Sequence, residues 1–191
     1  MVDDTTPKLL TLLERKSGGP KYAELSLAST RNSLGIGGDL VEPTLLALAL
    51  CGLGSQPDQL SRYLNWREFE RFCANLLVGW GFEVEENLNL TRPRAQIDIV
   101  AKSPTAILTI DCKHWSRLHP VSSVMKFAEA QIKRSNLLRR SLGDDPRPIF
   151  SSIVTLSEQS ERFADGVAIV PLYTLRDFLA SLGAFDDLRA V

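Results

Sequence analysis

The sequence predicts an α/β protein, a mixed β-sheet flanked by helices with a small helical arm ahead of it. Two observations carry this expectation. Apolar residues recur every three or four positions over residues 66–80, the stripe of an amphipathic helix. Beyond it, three short strand-like runs are followed by alternating helical and strand patterns, an order that argues for a mixed sheet under helices.

Element by element, residues 1–60 hold most of the Gly and Pro punctuation, with apolar patches at helical spacing at Leu9, Leu10, Leu12 and Leu13 and again at Leu45, Leu46, Leu48 and Leu50. This stretch is read as a helical arm or subdomain, and residues 61–191 as the main domain. Trp66, Phe69, Cys73, Leu76, Leu77 and Trp80 mark the first helix, which Gly81 ends. Strands are expected at 82–87, 95–101 and 106–113, with a loop holding Asn, Pro, Arg92 and Arg94 between the first two. A long helix over 121–141 precedes a strand at 148–155, a short helix at 157–164, a strand at 166–171 and a last helix at 173–182.

Composition narrows the class. The 191 residues are 44% hydrophobic and 24% charged, which excludes disordered, collagenous or disulfide-stapled proteins. Lys and Arg number 22 against 23 Asp and Glu, so any basic surface is local. Cys51, Cys73 and Cys112 stand apart in apolar surroundings, as reduced buried thiols do. The longest apolar run, 45–53, is far short of the ~20 residues that cross a bilayer. Met1-Val2-Asp3-Asp4 is acidic where a signal peptide is basic, so the expected location is cytoplasmic.

Chemistry concentrates on two strands. Alternation puts Gln96, Asp98 and Val100 on one face of the second, and Asp111 and Lys113 together on one face of the third. Two carboxylates on neighbouring strands can hold a hard divalent cation, with a main-chain carbonyl such as that of Cys112 and water completing the shell. A lysine one pleat along can orient a metal-bound water. On the first helix, Glu70 falls beside the apolar stripe while Glu68 points away. On the long helix Val124, Phe127, Ala128, Gln131, Ser135 and Leu138 form one stripe, so Gln131 is polar on a face that should be buried.

These residues resemble the PD-(D/E)-x-K nuclease superfamily, and within it Mrr-type restriction endonucleases and archaeal Holliday-junction resolvases. The resemblance runs over residues 65–182 through Phe69-Glu70, Gly81-Phe82, Ile97-Asp98-Ile99-Val100-Ala101 and Ile110-Asp111-Cys112-Lys113. It implies a restriction-endonuclease-like fold and a DNA endonuclease dependent on Mg2+, with Mn2+ as a substitute. Asp98 and Asp111 would be metal ligands with the Cys112 carbonyl, Lys113 the water-activating residue, and Glu70 a helix carboxylate supporting the metal or its water. Gln131 is similar in position to a helix glutamine that some members set against the site. Ile97 stands where the motif name has proline, and Asp111 where Mrr-type enzymes often carry Gln.

Other readings compete. A lone Asp-x-Lys usually marks a solvated edge or an ion pair, and the four-residue order is what raises the nuclease reading. Lys126, Lys133 and Arg140 form a basic ridge that more often is a helix's wet face, Glu129 offering Lys133 an ordinary partner. Arg92 and Arg94 are even candidates for phosphate contact. Trp115 reads as packing and His114 as a surface residue, or one behind the site; with His119 they lack zinc spacing to the cysteines. A catalytically silent module that binds nucleic acid or a protein partner is the alternative function. A homodimer through the arm is expected, because duplex cleavage usually takes two active sites.

Overall fold

The computed structural model describes residues 43–182 and 185–191, so the Leu9–Leu13 patch lies outside the described residues. The chain divides into two compact units, Met1–Phe72 and Cys73–Val191. In the first, α1 (Pro43–Gly52) realises the second apolar patch and buries Leu46, Ala47 and Leu50. A short α2 (Pro57–Ser61) follows, opened by a proline whose missing N–H costs nothing there.

Helix α3 (Trp66–Gly79) begins in the first unit and ends in the second. Its start is a capping box: Asn65 Oδ1 accepts from the backbone N–H of Arg67 and Glu68, and the Glu68 carboxylate accepts in return from the Asn65 N–H. Glu68 is thereby spent on the cap. At the other end Gly81, with φ of 92°, allows Phe82 N–H to reach the Leu77 carbonyl and Gly81 N–H that of Val78. Trp66 departs from the expected stripe. It sits in the open first turn, 57% exposed, with the Arg67 guanidinium 4.9 Å from its ring centre.

The second unit is built on a six-stranded mixed sheet in the order β1-β2-β3-β4-β6-β5. Strands β1 (Glu83–Thr91), β2 (Arg94–Lys102) and β3 (Ile107–Lys113) form an antiparallel meander. Strand β4 (Ile149–Thr155) runs parallel to β3, which requires a crossover, and α4 (Val121–Leu142) supplies it. Strand β6 (Val167–Pro171) is parallel to β4, and β5 (Phe163–Ala164) pairs antiparallel with its outer edge. A 3-10 turn (Leu172–Thr174) and α5 (Leu175–Ala180) replace the single last helix expected.

Helix α4 buries the expected stripe. Val124 and Ala128 pack with Ile153, Ala164, Val167 and Ile169, while Leu138 packs with Ile97, Val100, Ile107 and Ile149. Phe127 departs from the stripe, being 36% exposed at its edge. Between the two apolar clusters stands a hydroxyl cluster. Ser135 Oγ lies 2.5 Å from Thr109 Oγ1 and 2.6 Å from Ser151 Oγ, and it donates to the Gln131 carbonyl.

Two elements differ from expectation. Strand β1 continues through the supposed loop to Thr91, because Leu88 and Leu90 pack on the Ile97 cluster and that burial outweighs the asparagines between them. No helix forms at 157–164. Gln159 instead ties the segment down, accepting from His119 N–H and donating to the Arg117 and Ser157 carbonyls. Phe163 and Ala164 then enter a hairpin whose two turn residues, Asp165 and Gly166, both have positive φ (50° and 83°). Asp-Gly is the preferred pair for such a turn.

Candidate active site

The β2–β3 ladder runs from Lys102↔Ile107 to Ile99↔Ile110, and the next facing positions are Asp98 and Asp111. There the side chain of Asp98 takes over: its Oδ2 accepts from the backbone N–H of Cys112 at 2.9 Å. This bond fixes Asp98 beside Asp111. Burial and the charge of Asp111 raise the Asp98 pKa, and the Cys112 N–H, Lys113 and Arg134 oppose the shift only in part.

Asp111 is the most enclosed acid of the site, with a side chain 2% exposed. Its Oδ1 accepts from Arg134 Nη1 at 3.0 Å, and its Oδ2 lies 2.7 Å from Lys113 Nζ. That close approach is an ion pair without hydrogen-bond alignment, since Oδ2 accepts no hydrogen bond among the described residues. Lys113 Nζ is also 4.8 Å from the centre of the Phe127 ring, whose face favours a cation. Phe127 in turn meets Trp115 edge-on, and Trp115 stacks on His119 at 4.1 Å, so the segment after β3 is packed down by aromatics.

Gln131 is fully buried, as its place on the stripe implied. Its Oε1 accepts from Arg134 Nη1 at 3.1 Å, and its Nε2 donates to nothing among the described residues. Arg134 is the residue that sequence reasoning passed over. At 100° per residue it lies about 80° from Val124, on the same flank as Phe127, outside any apolar stripe. Its signal was its place three positions after a buried glutamine, which puts both side chains on neighbouring turns.

Asp98, Asp111, Lys113 and Gln131 are therefore brought together in the second unit, Gln131 through Arg134. Glu70 is half-buried on the part of α3 that belongs to the first unit. Lys126, Lys133 and Arg140 are exposed, and Lys133 pairs with Glu129 at 2.7 Å, the ordinary helix pair. Arg92 and Arg94 are exposed around the β1–β2 turn. Cys73 and Cys112 are buried free thiols in contact, and burial with that contact pushes the Cys112 pKa well up, which suits an inert role.

As donors, the site offers two carboxylates and the Cys112 carbonyl, hard oxygen ligands of the kind magnesium takes with several of its own waters. Among the described residues no three His, Cys, Asp or Glu side chains converge into a closed cage.

Comparison with known proteins places the chain in a family. Residues 61–182 match the Mrr_cat model, described as restriction endonuclease. The chain belongs to the Mrr_cat family. Its Mrr_cat domain is a nuclease-fold domain, and none of its described helices is long and apolar enough to cross a membrane. An uncharacterized protein of Archaeoglobus fulgidus is 28% identical over 122 residues, spanning 62% of this chain and 92% of that protein. The crystal structure of AF1548, a protein of unknown function, aligns with a TM-score of 0.44 at 18% identity over 60% of this chain. The match spans about three fifths (61%) of that protein's length.

Proposed function

We propose that this chain is a divalent-metal-dependent DNA endonuclease that hydrolyses phosphodiester bonds. The observation that carries this reading is Asp98 and Asp111 at facing strand positions with Lys113 Nζ 2.7 Å from Asp111. Asp98, Asp111 and the Cys112 carbonyl would hold Mg2+ or Mn2+, which supplies Lewis acidity toward water and the scissile phosphate. Membership of the Mrr_cat family supports the reading.

The chain's own groups have separable parts in it. Lys113 orients the attacking water and steadies the charge that develops on the phosphate, its ammonium held in place by Asp111 and the Phe127 ring. Asp98 must be ionised to act as a ligand, and burial with the charge of Asp111 raises its pKa in the metal-free protein. Gln131 Nε2, a buried donor without a partner among the described residues, is suited to a substrate oxygen. By the resemblance of Phe69-Glu70 to the superfamily's helix carboxylate, Glu70 would support the metal or its water. The arm would bring two copies together so that both strands of a duplex are cut, in the cytoplasm.

A second reading has its own observation. Both oxygens of Asp111 already face cations, as in a structural ion pair, and a nuclease-fold module that binds nucleic acid or a protein partner without cutting would look so. One experiment separates the two: Mg2+- and Mn2+-dependent cleavage of linear, branched, methylated and single-stranded DNA by the intact protein, Asp111→Asn and Lys113→Ala. The nuclease reading expects cleavage that falls about 100- to 1000-fold in each variant. Cleavage absent throughout, or equal in all three proteins, refutes it.

A further inference from the structure

Arg134 is held in a way that a purely structural arginine would not need. Both of its hydrogen bonds leave from one nitrogen, Nη1, to Asp111 Oδ1 and to Gln131 Oε1. Nη2 and Nε donate to nothing among the described residues, and the side chain is 29% exposed. Guanidinium pairs best when two parallel N–H groups meet two oxygens, and this one meets Asp111 through a single donor. The contact is therefore replaceable by a better partner without losing a bidentate bond.

The charge balance says what that partner is. Two carboxylates, Asp98 and Asp111, face two cations, Lys113 and Arg134, so the site is neutral as it stands. A divalent ion placed on Asp111 would meet two positive groups close to the same enclosed carboxylate, Lys113 Nζ at 2.7 Å and Arg134 Nη1 at 3.0 Å. The ion and Arg134 compete for one enclosed anion. A phosphodiester arriving with the ion removes the conflict, because its oxygens offer the guanidinium the two-point contact that Asp111 denies it.

We infer that Arg134 holds the place of the divalent cation on Asp111 in the ion-free protein and passes to a nucleic-acid phosphate when the cation binds, which couples metal binding to DNA binding. Gln131 Oε1 is the pivot, since it sits beside Arg134 on the same helix and holds Nη1 in reach of Asp111. The inference rests on the metal-dependent reading above. Because coupling between two ligands is reciprocal, it appears as DNA-dependent metal affinity without any turnover.

The test is Mn2+ binding, by titration calorimetry or by the loss of the free-ion paramagnetic resonance signal, with and without a phosphorothioate oligonucleotide that keeps the backbone charge and resists hydrolysis. Wild type, Arg134→Gln, Arg134→Lys and Asp111→Asn are compared. Glutamine can still donate to Asp111, and lysine keeps the charge, so folding and charge are varied separately. The expected result is that Arg134→Gln binds Mn2+ about tenfold tighter than wild type without DNA, that the oligonucleotide tightens wild type by a similar factor and Arg134→Gln hardly at all, and that Arg134→Lys follows wild type. Equal Mn2+ affinity in wild type and Arg134→Gln, with binding lost in Asp111→Asn, overturns the inference and leaves the nuclease reading standing. Mn2+ binding untouched in Asp111→Asn overturns both.

Discussion

Removing the Ser135 hydroxyl should weaken the fold more than its one oxygen atom implies. Ser135 Oγ gives its proton to the Gln131 carbonyl, so the Thr109 and Ser151 hydroxyls must donate to it, at 2.5 and 2.6 Å. Thr109 and Ser135 are fully buried and Ser151 is 2% exposed, so water does not take over. Thr109 and Ser151 are register partners on neighbouring strands, and no hydrogen bond joins their two hydroxyls directly. Ser135→Ala therefore orphans two buried hydroxyl donors at once. At about 1 to 1.5 kcal/mol each, near the low end for an unsatisfied buried group, the loss is about 2–3 kcal/mol.

Urea unfolding followed by the summed emission of Trp66, Trp80 and Trp115 measures it. With a slope of about 1.5 kcal/mol per molar urea, the midpoint should fall by roughly 1.5 M. Ser151→Ala, which leaves Ser135 with both Thr109 and the Gln131 carbonyl, should cost only about 1 kcal/mol. A Ser135→Ala protein within about 0.5 kcal/mol of wild type, or a Ser151→Ala protein destabilised as much as Ser135→Ala, would refute the reasoning.

Asp98 gives a pH-dependent expectation. Burial and Asp111 raise its folded pKa, so the folded protein holds this proton more tightly than the unfolded chain; its stabilising contribution is full in acid and is lost as pH rises through the folded value. Metal-free Asp98→Asn should thus melt above wild type near neutral pH and lose that advantage in acid; a calorimetric gap that stays constant with pH contradicts this. Gly166→Ala should cost about 1–2 kcal/mol, because φ of 83° is strained for alanine and its Cβ would come 2.8 Å from Arg189 Cγ. Chemical denaturation checks it, and a neutral result would mean the turn relaxes. Gln159→Ala removes the three bonds that join 117–119 to 157, so hydrogen exchange at the His119 amide should speed up strongly while β3 and β4 keep their protection.

Much of the site was legible because strand alternation is strict. Once 106–113 is a strand, Asp111 and Lys113 must project together, and the long helix must turn Gln131 inward; both arrangements are found. Longer-range burial was less legible. Leu88 and Leu90 alternate with asparagines at the strand period of two, but the turn preference of asparagine masked that signal, and their packing on the Ile97 cluster decides it. The segment 157–164 has the composition of a helix, yet Gln159 is worth more as a tie to the preceding loop, and the Asp165-Gly166 pair was a local turn signal that the helical reading overrode. Arg134, whose one signal was its place three residues after Gln131, was passed over for a plainer reason. Its importance lies in which carboxylate faces it across α4 and β3, a fact of tertiary structure.

The placing of unsatisfied groups supports the proposed function over a buried ion pair kept for stability. Elsewhere in the second unit the buried Thr109, Ser135, Ser151, Thr155 and Gln159 all have hydrogen-bond partners. The buried side-chain atoms left without a hydrogen bond, among its described residues, are Asp111 Oδ2 and Gln131 Nε2. Asp111 Oδ2 is thus held by an ion pair alone and Gln131 Nε2 by no hydrogen bond among the described residues, on two side chains that Arg134 Nη1 links. For stability alone, apolar residues of similar volume at these positions would serve as well or better, since buried ion pairs rarely repay their desolvation. An acid oxygen held by an ion pair alone and an open amide donor one helix turn from an arginine suit a cation and a phosphate oxygen. Strain of this kind gathers where a ligand relieves it.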